Sequence, residues 1–139
     1  LDHGHMKGLI ALAATLASWA QAVAAEEGVD GASLYRQNCA SCHGAELQGQ
    51  PDWRSPGPDG RLPAPPHDAT GHTWHHGDDI LFRITRDGTA AVVGGGYESD
   101  MPGFGDALTD AEIRAILDYI KSTWPERERA YQRERTQQE

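Results

Sequence analysis

The chain has 139 residues, 38% of them hydrophobic, and a net charge of −9. All of that excess lies between residues 26 and 125, where 16 acidic side chains face 7 basic ones; the two ends are balanced. Such a body excludes nucleic acid as a partner, because phosphate binding needs a cationic surface, and the length predicts a single domain.

Residues 1–25 read as a leader with an export signal. Lys7 is followed by the apolar run Leu9 to Ala20 and by small-residue sites at Ala20-Gln21-Ala22 and Ala22-Val23-Ala24. Cleavage there would start the mature chain near Ala25 or Glu26. The competing reading keeps residues 8–24 as a membrane anchor, although the apolar run is shorter than the roughly 20 residues a bilayer requires. Leu1-Asp2-His3-Gly4-His5 precedes the expected start at Met6, and its histidines are given no role.

The first predicted helix runs from about Gly31 to Ala40, with Asp30 as its cap. It leads into Cys39-Ala40-Ser41-Cys42-His43. C-x-x-C-H is the spacing that fastens a c-type haem covalently to a chain. Two thiols three residues apart on a helical turn can each add to one vinyl group, and the adjacent imidazole reaches the iron from the same side. Both cysteines of the chain lie in this motif, so none is left for a structural disulfide. A thioredoxin-like dithiol and a zinc site are the competitors. The first expects strands and βαβ units, of which the chain shows little sign. The second needs a further ligand that neither a second C-x-x-C nor an H-x3-H close to the cysteines supplies.

Six of the eight prolines fall between Pro51 and Pro66, too many for a regular strand or helix. The segment suits either a loop around a haem edge, with Leu47, Trp53 or Leu62 as wall residues, or an exposed linker. His67, His72, His75 and His76 follow. They read as surface groups before a helix start, with Trp74 packed at the haem edge, or alternatively as a copper or zinc site.

Asp78 opens the second helix, whose Ile80, Leu81 and Ile84 form an apolar face before the stop signal Gly88. Gly94-Gly95-Gly96 lacks the helix start and Lys-Ser/Thr of a phosphate loop and predicts a flexible hairpin. Met101 is the only methionine beyond Met6. It sits in the loop signal Ser99-Asp100-Met101-Pro102-Gly103-Phe104, outside any apolar period, which points to a distal haem ligand rather than core filler. The third helix is the best defined: Thr109 and Glu112 form a capping box, Leu108 and Ile113 a hydrophobic staple, and Ile113, Ile116, Leu117 and Ile120 a buried stripe. Pro125 limits it. Glu126 to Glu139 is charged and helix-prone; it reads as a solvated helix, or as one that Trp124 and Tyr131 dock back onto the body or a partner.

Gly31, Leu34 and Tyr35 before the cysteines, His43-Gly44 after them, Met101-Pro102-Gly103-Phe104, and Leu108 to Ile113 running on to Tyr119-Ile120 together resemble the bacterial class I cytochromes c. They include the small monohaem domains related to the cytochrome subunit of cbb3-type oxidases. The resemblance spans about residues 30 to 124 and implies a mostly α fold, with three main helices and loops packed around one covalently attached haem c. It also implies that the first and last helices cross, with Gly31 and Tyr35 facing Ile116 and Tyr119.

The expected division is residues 1–25 as leader, 26–124 as the cytochrome c domain and 125–139 as a charged helical tail. Cys39 and Cys42 would hold the haem covalently, His43 would be the proximal iron ligand and Met101 the distal one, with no catalytic residue. A chain so loop-rich buries little surface alone, so the apo-protein should fold poorly. The function expected is a periplasmic one-electron carrier between redox proteins of a respiratory or related chain, its acidic surface suited to a basic docking face. Alternatives are a subunit fixed in a dehydrogenase, oxidase or reductase, or a haem or copper sensor using His72 to His76. A retained leader would instead anchor it to the periplasmic face of the inner membrane.

Overall fold

The computed structural model describes residues 28–139, so the expected export signal lies outside the described residues. Six α-helices and one short 3-10 turn make up the regular structure there, with no strand among the described residues. Helix α1 covers Gly31–Asn38, α2 Ala40–His43, α3 Asp78–Asp87, α4 Thr89–Val93, α5 Asp110–Ser122 and α6 Glu126–Thr136; the 3-10 turn covers Thr73–His75. None of these helices is long and apolar enough to cross a membrane.

Asp30 caps α1 by accepting from the Ala32 N–H at 3.1 Å, as its residue type predicts. The helix does not run unbroken to Ala40. It ends at Asn38, Cys39 forms the joint, and the chain resumes as α2. Packing of α1 against α5 makes the centre of the fold. Tyr35, Ile113 and Ile116 are its most completely buried side chains, and removing each of the two isoleucines from water stabilises by about 1.5–3 kcal/mol. Gly31 allows the approach, for a Cβ there would stand 2.0 Å from the Ala115 carbonyl oxygen and 3.2 Å from Tyr119 Cβ. The Tyr35 and Tyr119 rings lie 5.5 Å apart.

The Thr109–Glu112 capping box is formed in both directions at 3.2 Å, and Leu108 is buried with Ile113. Together they fix where α5 begins and which face it turns inward. On α3 the buried residues are Leu81, Phe82 and Thr85, with Ile80 and Ile84 only half-buried. The apolar face is thus rotated from the one expected. Thr85 tolerates burial because its hydroxyl donates to the Leu81 carbonyl at 2.9 Å. Gly88, at φ 90°, stops α3 and admits the short helix α4 directly; Gly94-Gly95-Gly96, expected as a hairpin, form a turn with no strand on either side.

The tail folds back on the body. Helix α6 packs on the 3-10 turn, where Tyr131 meets the Trp74 ring edge-on at 5.2 Å. Buried Gln132 donates to Asp78 Oδ1 at 2.8 Å and to the His76 carbonyl at 3.3 Å. Lys121 of α5 reaches the same Asp78 oxygen at 3.0 Å, tying three helices together.

Candidate haem-attachment site

The joint between α1 and α2 places the C-x-x-C-H residues on one tight turn, with the Cys42 and His43 N–H groups both donating to the Cys39 carbonyl at 3.2 and 2.9 Å. Cys39 is half-buried and Cys42 exposed, and the two are not bonded to each other. Burial, and then the neighbouring Cys42, push the Cys39 thiol up to about 11. That is opposite to the depressed value of a reactive dithiol; both sulfurs are unpaired.

His43 is buried, with 6% exposure. Its Nδ1 stands 2.8 Å from the Pro65 carbonyl oxygen. A carbonyl can only accept, so Nδ1 carries the proton and Nε2 keeps its lone pair. Burial holds the imidazole below its ordinary pKa against the opposing pull of that hydrogen bond. A neutral ring with a free Nε2 is the form that binds a metal. Two unpaired thiols followed by such an imidazole fit the donor set that covalent haem c requires.

The loop after α2 closes tightly around this histidine. The Gly49 N–H donates to the His43 carbonyl at 2.7 Å, and Gln50 Nε2 donates to that of Cys42 at 2.7 Å. Leu47, at φ 63°, is buried in the core, and its carbonyl accepts from the N–H groups of His67 and Asp68. Pro65 and Pro66 are pressed against Gly49 and Gly71, where a Cβ would come within 2.4 Å of Pro66 N and 2.1 Å of Pro66 O respectively.

His67 then lays its ring flat on His43, with centroids 3.8 Å apart and planes 18° from parallel. Its Nδ1 shares a hydrogen bond with the Tyr35 hydroxyl at 3.2 Å, and its carbonyl accepts from Trp124 Nε1 at 2.7 Å. Burial, with His43 and His72 nearby, holds its pKa well below the ordinary imidazole value. In the sequence this residue is merely the first of a histidine group. The fold stacks it on His43 rather than on the others, and only the closing of a long loop reveals that partner.

Met101 lies half-buried in its loop and is not part of the hydrophobic core. Its N–H donates to Ser99 Oγ at 3.1 Å. The Phe104 and Gly105 N–H groups donate to the Thr85 and Arg86 carbonyls at 2.9 and 3.0 Å, satisfying acceptors that the end of α3 leaves open. Gly103 permits this, since a Cβ there would lie 2.7 Å from the Arg86 carbonyl oxygen. On the other side Arg61, from the proline-rich segment, pairs with Asp100 at 2.7 Å.

The remaining sequence candidates divide. Leu47 is a core residue, Trp53 is half-buried and Leu62 is exposed. His72 stacks on Trp53 at 5.4 Å, and His75 packs against Trp74 at 3.8 Å. His76 meets His72 edge-on at 5.8 Å. Among the described residues no three His, Cys, Asp or Glu side chains gather as a metal site, and the aromatic neighbours account for where these imidazoles lie.

A family model described as cytochrome c matches residues 28–124. No curated protein and no solved structure matches the chain.

Proposed function

Because the chain belongs to the cytochrome c family, in its class I fold with covalently attached haem c and electron transfer between redox proteins as its function, we propose that it is a periplasmic one-electron carrier with His/Met ligation. Cys39 and Cys42 are the thioether residues, His43 the proximal ligand and Met101 the distal one. The observation that carries this reading is the buried, neutral His43, its Nδ1 committed to Pro65 and its Nε2 free, directly after two unpaired thiols.

Bound haem c supplies the one-electron ferrous–ferric couple. The chain's own part is to hold and tune. The Pro65 carbonyl fixes the His43 tautomer and raises its basicity as a ligand. The soft thioether of Met101 favours the ferrous state and gives a more positive potential than two imidazoles would. His43 and Met101 would together hold the iron and leave substrate no open coordination site, which suits electron transfer better than oxygen or peroxide chemistry. Residues 1–25 serve for export and are removed, residues 26–124 carry the haem, and 125–139 form the accessory tail. The kinship drawn from the sequence is with the cbb3-type cytochrome c domains.

Met101→Ala tests the reading. The sulfur-ligand signature should vanish from the ferric spectrum and the midpoint potential should fall. If both stay as in the wild type, Met101 is not the ligand. Covalent haem staining after denaturing electrophoresis should be lost in the double variant Cys39→Ala, Cys42→Ala, and its retention would sink the attachment assignment.

A further inference from the structure

One hydrogen bond to Nδ1 fixes a single point of the His43 ring and leaves the ring free to tilt about it. The second constraint is the His67 ring, lying flat against it at 3.8 Å. His67 is itself held at three points, two on its backbone and one on its ring. Its backbone N–H is bonded to Leu47, its carbonyl to the Trp124 indole and its Nδ1 to the Tyr35 hydroxyl. Tyr35 is fully buried in the α1–α5 packing, and Trp124 is 3% exposed just beyond the end of α5. The plane of His43 is therefore referred, through His67, to the crossing of the two principal helices.

We propose that His67 is a positioning residue whose flat ring, braced by Tyr35 and Trp124, sets the plane of the His43 imidazole. The proposal rests on the reading of His43 as the iron ligand. An axial imidazole donates π density perpendicular to its own plane, so that plane orders the iron orbitals that carry the unpaired spin of low-spin ferric haem. The order of the haem methyl resonances in the paramagnetic proton spectrum, and the spread of g values in electron spin resonance, report it directly. A role confined to filling space would leave both unchanged.

The experiment compares ferric holoprotein of the wild type with His67→Ala, His67→Phe and Tyr35→Phe. Loss of the ring in His67→Ala should change the methyl order and the g spread. His67→Phe restores a flat ring without the nitrogens and should bring both back toward wild type, and Tyr35→Phe, lacking only the brace, should give a smaller change than His67→Ala. If His67→Ala does not load haem, His67→Leu replaces it, filling similar volume without a flat ring. Wild-type methyl order and g spread in the ring-deleted variant would overturn the proposal. A wild-type ferric protein without the signature of imidazole-ligated low-spin iron would instead overturn the His43 reading beneath it, so the two failures are distinguishable.

Discussion

A Cβ atom on Gly31 would lie 2.0 Å from a backbone oxygen of α5, and backbone cannot swing aside as a flexible side chain can. Gly31→Ala should therefore force α1 and α5 apart and cost about 3 kcal/mol, the upper end for overpacking. Urea denaturation of the holoprotein measures it, and an unchanged midpoint would show that the crossing does not depend on this approach. Residues whose partners lie within one turn are legible in the sequence. The Asp30 cap and the Thr109–Glu112 box depend only on local spacing, and the structure has both. The stack of His67 on His43 depends on a proline-rich loop returning to its start, which leaves no periodic trace. The joint at Cys39 is equally hidden, because no glycine or proline marks the break.

At the scale of elements, α6 shows what pattern reading misses. Its sequence has no apolar stripe, so hydrophobic periodicity could not decide whether it docks. The docking is mainly polar, through Gln132, Thr136 and Asp78, with Tyr131 against Trp74. Partial burial pushes the Asp78 carboxyl upward, but hydrogen bonds from Gln132 and Lys121 and the charges of Lys121 and Arg114 outweigh it. The net result lies below the ordinary value of 3.8. A carboxyl depressed on folding stabilises above its unfolded pKa, and that contribution is lost as pH falls through the folded one. Asp78→Asn should lower stability by roughly 1 kcal/mol at neutral pH, since the pair is half exposed. The difference from wild type should close below about pH 4. Melting curves across that range test it; a gap that persists in acid would separate the docking from the ionised carboxylate.

For the whole molecule, the acidic surplus between residues 26 and 125 predicts behaviour at a distance. Electron transfer with a basic redox protein should slow at least about tenfold as salt rises from about 0.01 M to about 0.15 M, because steering between opposite charges is screened. Stopped-flow rates that ignore ionic strength would rule out the basic docking face that the acidic sequence leads one to expect. The fold class was legible at this scale from the cysteine–histidine motif, the methionine loop and the terminal helices taken in order. The short helices α2 and α4 were not, because runs of four and five residues carry no period to read.

The hydrogen bonds from Phe104 and Gly105 to the last carbonyls of α3 mean that the segment bearing Met101 is not an independent loop. It is the continuation of that helix's end, so the two should open as one cooperative unit and share one opening free energy. Hydrogen exchange at the Phe104 and Gly105 amides should match the slow amides of α3. Exchange as fast as at Gly95 would break the link. Under the proposed ligation by Met101, release of its thioether would register first as fraying of a helix, and the hold on that sulfur would be set by secondary structure on the far side of its own loop.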